Sequence, residues 1–533
     1  MRFRVVDLFA GPGGLAEGFS CFRDADETRV FEVVLSVEKD PVAHRTLLLR
    51  SFCRQFDGSH PAGRPFDGRL PDAYYDYVAG RIDRDALERT YRHKWRKAER
   101  EALCLTLGTE ECNQQLEPVL EGLRAGPDNL VLIGGPPCQA YSLVGRARNK
   151  GKADYVASED HRHFLYLEYI RILDRLSPVA FVMENVKGML SARVDGQQIF
   201  HKVLEDLHGT GQGYEILPLS TGLGGATAAL PGLGISGPRQ GSACVIRAEE
   251  HGVPQARHRV ILFGVRKDLA ERLSDKDRSD LGLRRKRPVT VDHVLGKMTP
   301  LRSGLSGKPD DPESWQAEVL AACTRAIEAC RSDGRAELRK VAEELDEVKG
   351  RLCTSAPRKR SEATPGPVAD GDMADWLLDR RLEALPNHET RGHMASDLAR
   401  YVFCAVFGKV LERSPIAPDF PEGLGPSHRN WQSAQFADRF KVQLANGPSS
   451  TVTSHISKDG NYFIHPDPVQ CRSLTVREAA RLQTFPDNYK FEGNRTQQFV
   501  QVGNAVPPYL AYQIAQVVAD ALERSSREAY ACP

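Results

Sequence analysis

The sequence has 533 residues, of which 41% are hydrophobic and 27% charged, a composition typical of globular domains and unlike that of a disordered or collagen-like chain. Its 72 Lys and Arg residues balance 71 Asp and Glu residues, so the net charge of +1 excludes a uniformly basic surface but not a basic cleft. No apolar run approaches the length of about 18 residues that a membrane span needs, and the first residues lack a signal-peptide pattern. The twelve cysteines form no C-x-x-C pair, so we expect reduced thiols in a cytoplasmic protein and no metal site.

Residues 1–265 alternate between short apolar runs and amphipathic stretches. The apolar runs predict buried strands at residues 3–9, 30–37, 129–133, 179–183 and 260–265, and the amphipathic stretches predict helices at 15–21 and 164–176. Strands that alternate with helices favour an α/β fold with a doubly wound, mostly parallel sheet. A long charged segment, about residues 51–101, interrupts this block as an insertion.

The pattern is irregular between residues 266 and 471. Residues 315–352 have helical character, with apolar side chains at a 3-4-3-4 spacing at Leu338, Val341, Leu345, Val348 and Leu352. This stripe favours a helix packed on its own domain, with a short coiled coil as the alternative. Residues 354–372 predict a loop, and residues 475–483 and 507–522 predict two closing helices.

A glycine-rich loop joins the first predicted strand to the first predicted helix. Gly11, Gly13 and Gly14 allow the backbone to approach a ligand closely, and the helix that follows offers free N–H donors. Glu38 ends the second predicted strand, a position from which a carboxylate can accept hydrogen bonds from ribose hydroxyls. The spacing departs from G-x-G-x-x-G, which argues against a nicotinamide dinucleotide, and a tight turn without a ligand is the alternative.

A second loop, residues 134–139 (GGPPCQ), directly follows the predicted strand at 129–133. Its glycines and prolines fix the backbone path and present Cys138 at the carboxyl edge of the sheet, where open α/β folds bind ligands. An attacking cysteine must be a thiolate, a form that nearby positive charge favours. A structural cysteine is the alternative, although a core thiol would not need so rigid a turn.

Six blocks of sequence follow one another along the chain: DLFAGPGGLAEGF (7–19), GGPPCQ (134–139), ENV (184–186), QARHR (255–259), RSLTVREAARLQTFP (472–486) and QVGNAVPP (501–508). Together they resemble the bacterial DNA (cytosine-5) methyltransferase family. The resemblance implies the Rossmann-like fold of S-adenosylmethionine-dependent methyltransferases, with S-adenosylmethionine as cofactor and double-stranded DNA as substrate. It also implies that the variable segment that reads the target sequence is the irregular middle of this chain.

The chemistry of that family implies roles for three residues. Cytosine C5 is a poor nucleophile, but a thiolate that adds to C6 turns the ring into an enamine whose C5 can take a methyl group, and Cys138 matches this nucleophile. Glu184 matches the acid that protonates or hydrogen-bonds N3, and Arg259 matches the arginine that holds the base carbonyl. A carboxylate that caps a turn and an ordinary surface arginine are the alternatives for Glu184 and Arg259.

The resemblance also implies the binding residues. Cofactor contacts fall on Phe9, Gly11, Gly13, Gly14, Glu38, Pro137 and Asn504. DNA contacts fall on Arg257, which we expect on a backbone phosphate, and on Gln139, Ser142 and Arg146 in or beside a polar segment (141–154) that would close over the flipped base; an ordinary solvated loop is the alternative for that segment. The contact to the cofactor adenine is left unassigned, because residues 102–108 lack the acid that the family often carries there.

A mixture of basic, aromatic and polar side chains between about residues 380 and 470 suits phosphate contacts and base reading. These are Arg391, His393, His428, Arg429, Trp431, Arg439, Lys441, Thr451, Thr453, Ser454, His455 and Lys458. A solvated surface is the alternative for any one of them. We expect the apolar side chains of residues 472–486 to pack rather than to touch DNA.

We therefore expect a catalytic domain in two parts, residues 1–265 and 472–533, separated by a helical and target-recognition domain at 266–471. The expected reaction is methyl transfer from S-adenosylmethionine to C5 of a flipped cytosine in a specific duplex sequence, in a restriction–modification or related setting. We expect a monomer on nucleoid DNA in the cytoplasm, without a membrane; a cognate restriction nuclease, acting separately, is a partner that this setting allows. An RNA cytosine-5 methyltransferase on the same scaffold is the alternative, and a non-catalytic DNA-binding relative is disfavoured because Cys138 and Glu184 are both present.

Overall fold

The fold is described from a computed structural model over residues 2–56, 70–137, 165–194, 197–219, 243–352, 356–358, 368, 371–426, 431 and 438–527. The strands are β1 (Phe3–Leu8), β2 (Phe31–Glu38), β3 (Ala102–Cys104), β4 (Leu130–Gly134), β5 (Ala180–Val186), β6 (Arg193–Val194), β7 (Gln197–Gln198), β8 (Tyr214–Leu217), β9 (Val245–Arg247), β10 (Gln255–Ala256), β11 (His258–Arg266), β12 (Gly304–Leu305), β13 (Gly392–His393) and β14 (Ser449–Ser450).

The helices of the first block are α1 (Gly14–Cys21), α2 (Pro41–Arg54), α3 (Asp72–Ala79), α4 (Arg84–Thr90), α5 (Arg92–Glu101), α6 (Glu110–Arg124), α7 (Leu165–Leu176) and α8 (Ile199–Gly209). Those that follow are α9 (Lys267–Ala270), α10 (Asp275–Asp280), α11 (Val291–Leu295), α12 (Pro312–Asp333), α13 (Ala336–Gly350), α14 (Asp372–Leu377), α15 (Ala395–Leu411), α16 (Val476–Leu482), α17 (Arg495–Asn504) and α18 (Pro508–Arg527). Within the ranges described, no helix is both long enough and apolar enough to cross a bilayer.

One eight-stranded sheet organises the first block, in the order β3-β2-β1-β4-β5-β11-β8, with β9 paired to β11. The five strands from β3 to β5 are parallel, whereas β11 runs antiparallel to β5, β8 and β9. The prediction of a doubly wound, mostly parallel sheet is therefore confirmed. The predicted strands and helices of this block each correspond to an observed element, with ends that differ by a few residues.

Helices cover both faces of the sheet, which explains why its central strands are apolar at consecutive positions. On β1, Val5 packs on the face that α1 and α18 cover, and Val6 packs on the opposite face with α6, α7 and α8. Because α1 follows the first strand and α18 belongs to the last segment of the sequence, helices from two distant parts of the sequence cover this face of the sheet.

The middle of the chain has a hydrophobic core of its own. Helices α12, α13 and α15 pack around Trp315, Leu345, Phe403 and their neighbours. The single helical stretch predicted at 315–352 is two helices, separated at Gly334, whose φ of +84° favours glycine. The apolar stripe of α13 is buried in this core, which agrees with packing on its own domain rather than with a coiled coil.

The charged insertion forms α3, α4 and α5 beside α2. Its aromatic side chains Tyr74, Tyr75 and Trp95 are buried with α2 and with the return segment. The Tyr74 hydroxyl donates to the backbone carbonyl of Asn488 over 2.5 Å. The insertion therefore joins the second strand–helix unit to the segment that follows residue 471.

Candidate active site

The glycine loop after β1 turns through left-handed backbone. Phe9 (φ 56°), Gly11 (φ 57°) and Gly13 (φ 99°) all have positive φ, a conformation that glycine adopts most easily and phenylalanine seldom. The Gly11 N–H donates to one oxygen of the Glu38 carboxylate over 2.8 Å, and the Asp40 N–H donates to the other over 2.8 Å. Glu38 thus ends β2, as predicted, and fixes the loop at the carboxyl edge of the sheet.

The C-terminal segment presses against this loop. A Cβ added at Gly14 would lie 2.3 Å from the Val506 carbonyl oxygen, so only glycine fits between α1 and the start of α18. The Tyr489 hydroxyl donates to the Pro12 carbonyl. Asn504 ends α17 and is exposed, at the point where the last segment meets the glycine loop.

The charge and space at the loop fit a cationic cofactor. A Cβ added at Gly11 would meet nothing within 4 Å, so the loop backbone borders open space. Asp7, near the end of β1, is fully buried, and no side chain of the described residues hydrogen-bonds its carboxylate oxygens. Burial raises the pKa of Asp7 to about 8, against the opposing effect of Arg54. Such a carboxyl group is stabilised in its charged form when a cation binds nearby.

The backbone that leads into the cysteine loop is tightly held. A Cβ added at Gly134 would lie 2.5 Å from the Leu8 carbonyl oxygen, and the Asn185 side-chain amide donates to the Pro136 carbonyl over 3.3 Å. Pro137 is half-buried at the end of this stretch. Cys138, Gln139, Ser142 and Arg146 lie outside the described residues.

Glu184 and Arg259 form an ion pair at the same edge of the sheet. The Arg259 Nε lies 2.9 Å from the Glu184 Oε1, and the two side chains are 16% and 13% exposed. They come together because β11 pairs antiparallel with β5, which sets Ile261 opposite Glu184 and Arg259 two residues further along. A Cβ added at Gly135 would lie 3.2 Å from the Glu184 Oε2, so the carboxylate reaches the start of the cysteine loop.

The Arg257 side chain is buried, whereas the predicted phosphate contact would need it at the surface. Its side chain is only 2% exposed, and its Nη1 donates to the carbonyl oxygens of Val452 over 3.0 Å and of Gly503 over 3.3 Å. Burial and the neighbouring Arg259 lower the pKa of Arg257 well below its usual value, while Glu184 opposes the shift. Both hydrogen bonds use the same Nη1, so a phosphate contact would need another nitrogen of the guanidinium or its rearrangement, and the phosphate contact of Arg257 stays a prediction.

Three of the candidate recognition residues make contacts within the protein. Arg391 donates to the carbonyls of Ile456 (2.9 Å) and Lys458 (3.0 Å), and burial lowers its pKa to about 10. His393 is buried and accepts a backbone N–H over 3.2 Å, and Trp431 packs against other aromatic rings. The buried position of His393 disagrees with a role in reading DNA, whereas Arg391 and Trp431 are half-buried and their DNA contacts stay predictions.

Other recognition candidates keep access to solvent. Thr453 and Lys458 are exposed, and Arg439, Lys441, Ser454 and His455 are half-buried. The Thr451 hydroxyl donates to the Ala256 carbonyl over 2.6 Å, which ties the start of this surface to the QARHR block. His428 and Arg429 lie outside the described residues. The segment 472–486 is buried throughout, as expected for residues that pack.

Sequence reasoning missed two polar side chains that organise the site. Gln255 is fully buried; its Nε2 donates to Gln483 Oε1 over 2.9 Å, and its Oε1 accepts the Val452 N–H over 2.8 Å. Asp7 is the first residue of the block at 7–19, and the position of an acid near the end of an apolar strand is the signal that could have indicated a ligand nearby. The partners of Gln255 lie roughly 200 residues away in sequence, so no local pattern reveals them.

A doubly wound sheet with a glycine loop after its first strand and a proline–cysteine loop after its fourth, at one carboxyl edge, has the architecture of the α/β methyltransferases. Residues 124–520 match the family model described as C-5 cytosine-specific DNA methylase. The chain belongs to this family, and it is a DNA (cytosine-5)-methyltransferase. Membership implies S-adenosylmethionine as methyl donor and DNA as substrate.

Three relatives illustrate the similarity. The type II methyltransferase M.Bpa9945I of Bacillus paralicheniformis is 31% identical over 97% of this chain and 99% of its own length. The type II methyltransferase M.AgeI of Thalassovita gelatinovora is 26% identical over 78% of this chain and 89% of its own. The DNA (cytosine-5-)-methyltransferase M.ApeKI of Aeropyrum pernix is 28% identical over 75% of this chain and 83% of its own. None of these names favours the RNA alternative.

Proposed function

We propose that Cys138, Glu184 and Arg259 carry out the methylation of a flipped cytosine at the carboxyl edge of β4 and β5. The observation that carries this assignment is the Glu184–Arg259 ion pair, whose carboxylate reaches the first residues of the cysteine loop. A charged pair with little solvent access, beside residues 134–137 that lead to Cys138, suits a reaction in which charge develops on a bound ring.

The steps follow from the chemistry of the three groups. The Cys138 thiolate adds to C6 of cytosine while a proton that Glu184 carries in this step passes to N3, so that the electron pair of the C5–C6 double bond becomes available at C5. C5 takes the methyl group that S-adenosylmethionine supplies, with release of S-adenosylhomocysteine. N3 returns its proton to Glu184, water or another base takes the C5 proton, and the C5–H electron pair forms the C5–C6 double bond as the Cys138 thiolate leaves, which restores the aromatic ring. Arg259 fixes Glu184 and presents its remaining N–H donors to the base carbonyl.

We assign cofactor binding to Phe9, Gly11, Gly13, Gly14, Glu38, Pro137 and Asn504. The left-handed glycine loop, the open space at Gly11 and the buried Asp7 support a cationic ligand with a polar sugar at this edge. Glu38 already accepts two backbone N–H groups, so binding of a ribose there requires it to share or exchange these donors. Asn504 ends α17, two residues before the Val506 carbonyl that approaches the glycine loop.

We assign DNA recognition to the middle domain, residues 266–471, between the two parts of the catalytic domain at 1–265 and 472–533. The separate core of α12, α13 and α15 supports this division. The accessible polar side chains of residues 453–458, together with Gln139, Ser142 and Arg146, are the proposed DNA contacts. The type II names of the relatives support a restriction–modification setting. For that setting we propose an enzyme that acts on duplex DNA in the cytoplasm as a monomer, beside a separate restriction nuclease.

Expression of the chain in bacteria without endogenous cytosine methylation tests the proposal directly. Conversion sequencing should find 5-methylcytosine at one short duplex sequence throughout the genome, and the Cys138→Ser variant, produced at equal level, should leave the same sites unmethylated. Soluble protein without methylated DNA would contradict the proposal, as would methylation by the serine variant. Sequencing of total RNA from the same cells separates the RNA alternative, since that alternative requires 5-methylcytosine in RNA alone.

A further inference from the structure

The QARHR block contacts three parts of the protein with different tasks. Its last residue, Arg259, pairs with Glu184. Its first residue, Gln255, accepts the N–H of Val452 and donates to Gln483. Gln255 and Ala256 form β10, which pairs in parallel with β14 near the end of the middle domain. Residues 255–259 therefore connect the proposed catalytic pair to the proposed DNA-reading segment.

Arg257 is the middle residue of this connecting segment. One nitrogen atom, its Nη1, donates both to the Val452 carbonyl and to the Gly503 carbonyl. Val452 immediately precedes the accessible segment 453–458, and Gly503 immediately precedes Asn504. The two backbones touch at this point, since a Cβ added at Gly503 would lie 2.3 Å from the Ser454 nitrogen. If the Val452 carbonyl moves, the Arg257 guanidinium moves with it and changes its hydrogen bond to the Gly503 carbonyl; the same holds in the other direction.

We propose that Arg257 is a positioning residue that couples cofactor binding at Asn504 to DNA binding at residues 453–458. The inference rests on the proposed function, which assigns those two segments to cofactor and DNA. The physical basis is that both carbonyls share one donor. The cofactor orders the backbone at Gly503, DNA orders the backbone at Val452, and the guanidinium that one ligand has ordered then stabilises the carbonyl beside the other ligand. The two hydrogen-bond partners of Arg257 are neutral carbonyls, and the charge of Glu184 opposes the effect of burial on its pKa only in part, so the buried position of this arginine is costly.

The test is a binding cycle with S-adenosylhomocysteine and a duplex that contains the methylated sequence. The Kd for each ligand is measured with and without saturating amounts of the other, for the wild-type protein and for Arg257→Met, which keeps the apolar stem and removes the donors. We expect each ligand to tighten the other on the order of tenfold in the wild type. The factor should fall to about one in Arg257→Met and should be partly restored in Arg257→Lys, which keeps a donor on a similar stem.

Arg4→Met is the matched control. Arg4 also donates to two backbone carbonyls, those of Leu123 and Pro127, but at the opposite end of β1, so its loss should leave the coupling factor unchanged. An unchanged factor in Arg257→Met, an equal loss in Arg4→Met, or a wild-type protein without coupling would overturn the inference. Failure of the proposed function gives another result: Asn504→Ala would leave the Kd of S-adenosylhomocysteine unchanged, or alanines at Thr453 and Lys458 would leave DNA affinity unchanged.

Discussion

Removal of the Arg259 side chain is expected to slow the chemical step far more than it weakens DNA binding. The Arg259 Nε and the Glu184 Oε1 are 2.9 Å apart, and both side chains are more than four-fifths buried. Unit charges about 4 Å apart interact by about 4 kcal/mol at an effective dielectric constant of about 20, and removal of one partner of a buried pair typically costs about 3–5 kcal/mol. Because the pair keeps some solvent access, we expect Arg259→Ala to lower the free energy of unfolding by about 2–3 kcal/mol.

The loss of a donor aimed at developing charge should in addition lower the single-turnover methylation rate on the order of a hundredfold or more. Rapid-quench methylation, thermal unfolding and DNA binding measured on the same preparations separate these effects. Arg524→Ala is the control, because Arg524 pairs with Asp277 over the same 2.9 Å but both side chains are about 30% exposed; we expect a loss of less than about 1 kcal/mol and an unchanged rate. A wild-type rate in Arg259→Ala, or an equal rate loss in Arg524→Ala, would refute the reasoning.

Three further predictions concern the cofactor loop and the recognition domain. Gly14→Ala should cost about 1–3 kcal/mol of stability and weaken cofactor binding in calorimetry, because its Cβ would lie 2.3 Å from the Val506 carbonyl oxygen. The control is Gly122→Ala, whose added Cβ would meet nothing within 4 Å and which should therefore cost no stability. Equal losses of stability in the two variants would argue against the steric explanation. Because burial raises the pKa of Asp7 to about 8, the folded protein keeps a proton that the unfolded chain releases above about pH 4, and stability falls by up to about 1.4 kcal/mol per pH unit across that interval. Asp7→Asn should therefore gain thermal stability over the wild type at pH 8 relative to pH 5, and parallel profiles would contradict it. Exchange of residues 380–470 for those of a relative with another specificity should change the methylated sequence; an unchanged sequence in a folded chimaera would place recognition elsewhere, first in the insertion at 51–101.

The elements of the sheet could be predicted because their signals are local. The apolar run of β1 is broken by glycines that the turn requires, and the same is true of β4 and its proline–cysteine loop. The relation of Glu184 to Arg259 could be predicted only through the order of the motifs, since it depends on the antiparallel pairing of β5 with β11.

The positions of several arginines could not be predicted, because long-range partners decide them. Arg257 looks like a surface residue in sequence, and only the approach of Val452 and Gly503 makes its burial possible. Arg391 is likewise held half-buried by carbonyls more than 60 residues away. A basic side chain in a polar stretch thus predicts a nucleic-acid contact only when no buried carbonyl is available to it.

The covalent role of Cys138 can be tested with a duplex that carries 5-fluorocytosine at the methylated position. Fluorine at C5 cannot leave as a proton does, so the enzyme should remain joined to the DNA through the Cys138 sulfur after methyl transfer. In the presence of S-adenosylmethionine, we expect a complex that survives denaturing electrophoresis with the wild-type protein and none with Cys138→Ser, although the variant should bind S-adenosylhomocysteine normally. A wild-type protein that methylates cytosine but forms no such complex, or a serine variant that is trapped equally well, would contradict the account.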